Sequence, residues 1–266
     1  MKKITILGGD RRLRLAAKEL EKNGYTVDTI GLYENDNGDI STSQFILLPV
    51  PTTKDKINIF APLTNRKIPL SYVEENAPKD TLVLSCNFFF KNCACVDYGA
   101  LDSYALLNAV PTAEGAIKYA IENTPFTIWK SKCLVIGYGR VGKVLANRLE
   151  GLGADVTVTA RSPKDISLAE AIGFNSMLTA ELNLKPLSYD IIFNTVDFEV
   201  INDEALKKLH CSLLLDLSSK GGFNLEKARD FGVNAIKLPG LPNITAPDTA
   251  AKILSDTVLH ILNSYN

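Results

Sequence analysis

Short apolar runs alternate with segments of helical periodicity along the whole chain. In the first part, residues 3–7 predict a strand, residues 11–23 predict a helix, and Gly24 predicts the end of that helix. Further strands are predicted at residues 26–30, 44–48 and 81–86. Strands that alternate with helices in this way predict an α/β fold with a parallel sheet.

The central part of the chain repeats this pattern in a stronger form. Residues 133–136 form an apolar, β-branched run that is too short for a helix. After a glycine-rich turn, apolar residues recur at helical spacing, at Val141, Val144, Leu145 and Leu149. A strand at residues 155–159 completes a βαβ unit of roughly 30 residues. Beyond it we predict strands at residues 174–177, 190–194, 213–217 and 234–238, and helices at residues 179–184 and 202–208.

Two longer helices are predicted on either side of this central part. The first covers residues 113–123, with Thr112 as its N-cap and Pro111 fixing its entry. The second covers residues 248–262 and follows a predicted loop at residues 238–247. We interpret these two helices as hinges between two domains.

The predicted fold is therefore α/β, with two Rossmann-like doubly wound domains joined by hinge helices, as in the D-2-hydroxyacid dehydrogenase-like architecture. Residues 1–110, with the C-terminal helix at 248–266, form the predicted substrate or catalytic domain. Residues 111–247 form the predicted nucleotide-binding domain.

The glycine-rich turn carries a GxGxxG pattern at Gly137, Gly139 and Gly142. In dinucleotide-binding folds the first glycine allows the tight turn, the second lets the backbone approach a pyrophosphate, and the third lets the helix pack on the strand. Arg140 and Val141 lie in the first helical turn, whose free amides and positive dipole end favour an anion. The pattern predicts a dinucleotide site, the alternative being an ordinary helix-packing turn.

The residues after the second strand of this unit indicate which dinucleotide is bound. An NAD site usually carries an acid there for the ribose 2′-hydroxyl, whereas this chain has Arg161, Ser162 and Lys164. These side chains could hold a 2′-phosphate, which favours NADP over NAD. The alternative is a solvated basic loop. Asn194 and Thr195, at a later strand end, complete the predicted cofactor-binding residues.

The turn at the end of the first strand, at residues 8–10, lacks the third glycine, so no nucleotide is assigned to it. The following helix begins with Arg11, Arg12 and Arg14, which could meet an anionic substrate or form a solvated face. Strand ends in open parallel sheets converge on a crevice. We therefore expect residues 49–53 and 85–87 to line one side of a cleft together with Asp10.

Composition adds limits to this picture. The 266 residues are 46% hydrophobic and 22% charged, which suits a well-buried core and two domains. A net charge of −1 gives no sign of nucleic acid or of an anionic membrane as a partner. Five cysteines, an odd number, suit a reducing cytosol, and no signal peptide or membrane segment is expected. Cys93 and Cys95 form a CxC pair, but with only two histidines in the chain no metal site is predicted.

Several longer blocks resemble the A-subunit family of dipicolinate synthase, from spore-forming bacteria. They are ILGGDRRLRLAAKEL near the start, PVP at residues 49–51, VTVTARS, LDLSSKGG at residues 215–222, LPGLPNITAPDTA, and NAVPTAEGAIKYAIENTPFTIWKSKCLVIGYGRVGKVLA at residues 108–146. The resemblance covers essentially the whole length. A PTAEGAI block joined to a GxGRxG turn is specific, because either half alone would be common. The chain lacks a proline and an acid that the family tends to have around residues 220–224.

The resemblance implies an oxidoreductase that converts 4-hydroxytetrahydrodipicolinate into pyridine-2,6-dicarboxylate. The partner that it implies is the flavoprotein-like B subunit of dipicolinate synthase. It also implies the cytoplasm of the mother cell of a sporulating bacterium, and we expect a homo-oligomer. A dicarboxylate ligand calls for cations or paired donors. The expected substrate-binding residues are Arg11, Arg12, Thr52, Thr53, Asn87 and Lys220, and the sequence names no catalytic base.

Two other functions stay open from the sequence. A D-2-hydroxyacid dehydrogenase-like enzyme would share the two-domain plan but needs a histidine–carboxylate pair, for which only His210 and His260 are available. A non-catalytic nucleotide-binding module would share the dinucleotide fold alone, since that fold proves binding and not chemistry.

Overall fold

The computed structural model describes residues 2–265, which form two compact units. Unit one contains the residues up to Asn108 and those from Ala246 onward, and unit two runs from Ala109 to Thr245. Within residues 2–265, no helix combines the length and the apolar character needed to cross a bilayer.

Strands and helices alternate along most of the chain. The strands, in chain order, are β1 (Lys3–Leu7), β2 (Thr26–Ile30), β3 (Phe45–Leu47), β4 (Leu82–Ser85), β5 (Ala94–Asp97), β6 (Lys132–Ile136), β7 (Asp155–Ala160), β8 (Asn175–Leu178), β9 (Ile191–Asn194), β10 (Leu213–Asp216) and β11 (Ala235–Lys237). The helices are α1 (Arg11–Lys22), α2 (Ser71–Asn76), α3 (Asp102–Glu122), α4 (Arg140–Gly151), α5 (Pro163–Ala171), α6 (Asp203–Lys207), α7 (Leu225–Asp230), α8 (Leu241–Thr245) and α9 (Pro247–Ser264). Short 3-10 helices cover Tyr98–Ala100 and Thr179–Asn183.

Unit one is built on a parallel sheet with the strand order β2-β1-β3-β4-β5. This is a doubly wound order, whose direction reverses between β1 and β3. Leu254, Val258 and Leu262 of α9 are buried in the same core as Leu13 and Leu20 of α1. The C-terminal helix therefore belongs to the core of unit one.

Unit two is built on a parallel sheet with the order β11-β10-β9-β6-β7-β8. This is the strand order of dinucleotide-binding folds, with the reversal between β6 and β9. Both faces of the sheet are covered, so residues 133–136 of β6 and all of β9 are buried. Strands buried on both faces appear in the sequence as continuous apolar runs, which is why they could be predicted. The α/β class with two parallel sheets is confirmed.

The helix predicted at residues 113–123 is wrong at its start. The structure extends α3 from Asp102 to Glu122 with Pro111 inside it, so Thr112 is not an N-cap. A proline inside a helix removes one hydrogen bond and usually kinks or ends the helix, which led to the late predicted start.

Several short elements differ from the prediction or were not predicted at all. The segment at 238–247, predicted as a loop, contains α8, and the helix predicted at 179–184 is a 3-10 helix. The structure also contains β5, α2, α5 and α7, which no predicted segment covers. These elements are shorter than the window of about 11 to 18 residues over which a periodic pattern can be recognised.

Candidate functional site

The three glycines of the turn between β6 and α4 have different surroundings. A Cβ on Gly142 would collide with the carbonyl oxygen of Gly137, so this glycine is required for packing. Gly137 has a φ of +97°, and its Cβ would lie 2.6 Å from the hydroxyl of Thr195. Around Gly139, in contrast, no atom lies within 4 Å of the position of a Cβ. Its φ of −84° is open to any residue, so the fold itself does not require glycine there.

Gly139 is also the N-cap of α4, and it provides no side chain to satisfy the first amides of the helix. The backbone N–H groups of Val141 and Gly142 donate to no acceptor in residues 2–265. The first turn of α4 contains no acidic residue. Free amides and the positive end of the helix dipole make this turn suited to an anion such as a diphosphate.

The turn is held in place from both neighbouring strands. Thr195, after β9, donates from its backbone N–H and its hydroxyl to the carbonyl of Ile136, at 3.0 and 2.8 Å. Thr159 of β7 accepts a hydrogen bond from the amide of Gly137 at 3.2 Å. Thr195 thus fixes the turn at the position where the strand order reverses, which is where ligands bind in such sheets.

The turn between β7 and α5 carries the basic residues predicted for a 2′-phosphate. Arg161 is exposed, with its guanidinium carbon 5.2 Å from the ring centroid of Phe198. Ser162 is the N-cap of α5 and accepts a hydrogen bond from the amide of Asp165, so its hydroxyl proton is still available to an acceptor. Lys164 is exposed. No acid was predicted here, but Asp165 lies in the first turn of α5, with its Oδ1 3.9 Å from Lys143 Nζ.

Asn194, predicted to bind cofactor, is fully buried at the end of β9. Its Nδ2 donates to Asp216 Oδ1 at 2.8 Å and to the carbonyl of Val196 at 3.0 Å. These contacts use both protons of the side-chain amide within unit two. The side chain therefore stabilises the strand ends around the site and does not present donors to a ligand. The partner Asp216 is a buried carboxylate that sequence reasoning missed.

Asp216 is the centre of a polar row across the carboxyl ends of three strands. It pairs in register with Asn194 of β9 on one side and with Lys237 of β11 on the other. Lys237 Nζ lies 3.7 Å from Asp216 Oδ2. A buried charge requires such partners, and the sequence signal that could have identified it was an acid ending a strand of three leucines.

In unit one, two of the predicted substrate residues are used internally. The side chain of Arg12 is buried and forms a bidentate pair with Asp10, with Nη2 donating to Asp10 Oδ2 and to the carbonyl of Val50, both at 2.7 Å. Burial alone would lower the pKa of Arg12, but Asp10 outweighs it and the pKa lies above the ordinary value. Thr52 is fully buried and accepts a hydrogen bond from the amide of Cys86 at 2.8 Å.

The other predicted substrate residues are more accessible. Arg11 and Asn87 are exposed, and Asn87 has a φ of 56°. Thr53 is half-buried, and its hydroxyl donates to Asp55 at 3.1 Å and accepts from the amide of Lys56 at 3.0 Å. Lys220 is exposed on the loop after β10.

The buried thiols of Cys86 and Cys133 are poorly suited to act as nucleophiles. Burial raises the pKa of Cys86 to about 12 and that of Cys133 to about 11, so both stay protonated at neutral pH. Residues 2–265 contain no cluster of three or more His, Cys, Asp or Glu side chains that could hold a metal ion.

The sequence is similar to those of known dipicolinate synthase A subunits. Residues 3–92 match the family model for the N-terminal domain of the dipicolinate synthase A subunit. The A subunit of dipicolinate synthase from Bacillus subtilis is 30% identical over 283 residues, which cover 98% of this chain and 95% of that protein.

Solved structures of other proteins share the fold of this chain. The crystal structure of the dipicolinate synthase A subunit from Bacillus halodurans matches with a TM-score of 0.87 and 29% identity, over 98% of this chain and 97% of that one. D-lactate dehydrogenase of Escherichia coli matches with a TM-score of 0.61 and 14% identity, over 99% of this chain and 96% of that one, which shows a shared fold only. The resemblance found in the sequence blocks is therefore confirmed, and the chain belongs to the family of dipicolinate synthase A subunits.

Proposed function

We propose that this chain is the oxidoreductase subunit that forms dipicolinate from 4-hydroxytetrahydrodipicolinate, with NADP⁺ as the hydride acceptor. Loss of one water from the substrate and removal of two electrons and two protons give the aromatic ring. The electron pair leaves with one hydrogen as hydride to NADP⁺, and the second hydrogen leaves as a proton, so one NADPH and one proton form per dipicolinate. Family membership and the dinucleotide-binding strand order of unit two support this proposal.

The single observation that carries the cofactor half is the open space at Gly139. The backbone there tolerates any residue and no protein atom occupies the position of a Cβ, so packing does not explain the glycine. Close approach of a diphosphate does explain it. The unsatisfied amides of Val141 and Gly142 would receive that diphosphate at the start of α4.

The β7–α5 turn would then choose between NADP and NAD. Arg161 and Lys164 provide positive charge, and the Ser162 hydroxyl provides a proton donor, all within four consecutive residues. A 2′-phosphate matches this set, since guanidinium and ammonium groups bind phosphate through charge-assisted hydrogen bonds. Asp165, which lies near Lys143, is the acid that could instead bind the ribose 2′-hydroxyl of NAD.

The substrate's two carboxylates need cationic partners, because desolvating them unpaired costs several kcal/mol each. Arg11, the first residue of α1, and Lys220, on the loop after β10, are exposed cations, and Asn87 and Thr53 add polar groups. Arg12 and Thr52 would have to give up buried contacts to take part. The proposal places this reaction in the mother-cell cytoplasm, in a homo-oligomer that works with a flavoprotein-like B subunit.

A D-2-hydroxyacid dehydrogenase activity has less support. Such an enzyme needs a histidine paired with a carboxylate as its acid–base group. His210 and His260 are both exposed, and neither forms an ion pair with a carboxylate in the part of the chain that the structure describes.

The test is a reaction with freshly made 4-hydroxytetrahydrodipicolinate and NADP⁺, with and without the flavoprotein-like partner. We expect NADPH to form, as followed by absorbance, together with dipicolinate identified by chromatography. A 2-hydroxy acid that reduces the cofactor while 4-hydroxytetrahydrodipicolinate does not would contradict the proposal and favour the dehydrogenase alternative. Binding of NADP⁺ without turnover of either substrate would favour the non-catalytic module.

A further inference from the structure

The loop after β10, residues 217–222, is held by two carboxylates, one from each side. Asp216 Oδ1 accepts hydrogen bonds from the Ser218 amide at 3.1 Å and from the Ser218 hydroxyl at 2.6 Å. The Ser218 hydroxyl in turn accepts from the amide of Gly221 at 2.9 Å. The first half of the loop is therefore folded around a buried carboxylate.

The second carboxylate comes from the loop after β9. Asp197 Oδ1 accepts from the Ser219 amide at 2.6 Å, from the Ser219 hydroxyl at 2.9 Å and from the Lys220 amide at 3.2 Å. Burial would raise the pKa of Asp197, but the hydrogen bonds from Ser219 and Lys220 outweigh it, so the pKa lies below its ordinary value. Asp197 is therefore ionised at neutral pH and holds the loop through charge-assisted bonds.

The end of the loop is also fixed. The carbonyl of Gly222 accepts hydrogen bonds from the amides of Val200 and Ile201, at 2.8 and 3.3 Å. A Cβ on Gly222 would collide with the side chain of Asn194, so the loop lies directly against the polar row of unit two. Gly221 has a φ of +108°, a conformation that favours glycine.

Among the polar side chains of this loop, those of Ser218 and Ser219 are hydrogen-bonded to carboxylates, whereas that of Lys220 is not. The ammonium of Lys220 forms no hydrogen bond or ion pair with the residues that the structure describes, although the amide of the same residue is bound to Asp197. The loop lies beside β9, one of the two strands between which the sheet order reverses. The ammonium is attracted by the nearby carboxylate of Asp197, whose pKa it helps to lower, but it is not hydrogen-bonded to it. An exposed cation on a backbone fixed at so many points matches a group preorganised for an anion.

We propose that Lys220 binds a carboxylate of the substrate, and that Asp197 and Asp216 are positioning residues that hold its loop for this contact. This inference rests on the proposed function and names part of its substrate site. Because Asp197 already holds the loop in place, the loop loses less conformational entropy when the ligand binds. Asp197 therefore affects ligand binding through Lys220 and does not contact the ligand itself.

A double-mutant cycle tests the coupling. The four proteins are the wild type, Asp197→Ala, Lys220→Ala and the double variant, and Lys185→Ala removes another exposed lysine of unit two as a control. The readouts are the Kd of pyridine-2,6-dicarboxylate by calorimetry, the KM and kcat for substrate, and the Kd of NADP⁺. Because Asp216 is buried and its variants could fail to fold, Ser218→Ala serves as a second, milder change in the same loop.

Lys220→Ala should weaken dicarboxylate binding about tenfold or more and raise KM, since a charge-assisted bond is lost. Asp197→Ala and Ser218→Ala should each cause a smaller loss of the same kind, with the NADP⁺ Kd unchanged. The double variant should be no weaker than Lys220→Ala alone. Asp197→Asn, which keeps an acceptor oxygen, should recover most of the wild-type affinity.

Fully additive losses in the double variant, or dicarboxylate affinity in Lys220→Ala equal to that of the Lys185→Ala control, would overturn the inference. A wild type that binds the dicarboxylate with the expected coupling but turns nothing over would contradict the proposed function and leave the loop assignment supported. A wild type that turns over while the cycle shows no coupling would leave the function standing and overturn the inference that Asp197 acts through Lys220.

Discussion

Gly139 and Gly142 lie three residues apart but have opposite reasons to be glycine. Gly142 is required by contact with the backbone of Gly137, whereas Gly139 faces open space. Gly139→Val should therefore fold with near wild-type stability and lose NADP⁺ affinity, because its side chain would fill the space that a diphosphate needs. Gly142→Ala is the matched control and should lower the melting temperature. Calorimetric Kd values and thermal melts measure the two effects, and unchanged NADP⁺ affinity in folded Gly139→Val would count against the diphosphate site.

Arg11 and Arg12 are neighbours in sequence with different surroundings. Arg12→Ala would leave the buried carboxylate of Asp10 without its partner, which typically costs roughly 3–5 kcal/mol of stability. Arg11 is exposed, so Arg11→Ala should change stability by less than about 0.5 kcal/mol. Urea unfolding measures both values. An Arg12→Ala protein as stable as the wild type would contradict the buried pair.

Steady-state kinetics of the Arg11→Ala protein test the second role. Loss of kcat/KM in the stable variant, with NADP⁺ affinity intact, would support Arg11 as a cation that binds the substrate.

The turn between β7 and α5 should determine whether NADP⁺ or NAD⁺ is bound more tightly. Arg161→Ala should weaken NADP⁺ binding by roughly 1.5–3 kcal/mol, the range for a charge-assisted hydrogen bond, and leave NAD⁺ binding nearly unchanged. Lys118→Ala removes one positive charge elsewhere in unit two and serves as the control. Equal losses for both cofactors would mean that Arg161 acts through its contact with Phe198 and not through a phosphate.

Elements with a clear apolar run or period could be predicted from the sequence, whereas elements without such a signal, or interrupted by proline, were missed or misplaced. The ranges of β1 and β2 were predicted to the residue, because they are apolar or β-branched runs beside clear glycine turns. The start of α3 was missed because Pro111 lies inside the helix, and the sequence does not show that packing outweighs the lost hydrogen bond. The edge strand β5 was missed because its exposed and half-buried residues give no apolar run.

The residues of the candidate site likewise divide into those with a local sequence signal and those whose role depends on a distant partner. The glycine turn could be located because its chemistry is local, within six consecutive residues. The roles of Asn194 and Arg12 could not be predicted, because each depends on a partner supplied by another segment, Asp216 in one case and the carbonyl of Val50 in the other. The contacts of Asp197 with the loop after β10 likewise join residues 22 or 23 positions apart.

For the protein as a whole, we propose that this chain moves hydride from a dicarboxylate ring to NADP⁺. Family membership and the two parallel sheets make an oxidoreductase the expected class. The residues of unit two that would receive the cofactor lie at the carboxyl edge of its sheet, as do the loops that carry Asp197 and Lys220. A claim about hydride is best tested by following the hydrogen itself.

The decisive measurement uses 4-hydroxytetrahydrodipicolinate deuterated at every ring carbon, so that a hydride from any of them carries the label. Purified protein, with its flavoprotein-like partner when turnover requires it, is mixed with NADP⁺, and the products are analysed by mass spectrometry. We expect deuterium in the nicotinamide ring of NADPH, with one labelled NADPH formed per dipicolinate. Dipicolinate that forms at the wild-type rate without labelled NADPH, with all of the deuterium that leaves the ring released to water, would rule out hydride transfer to NADP⁺.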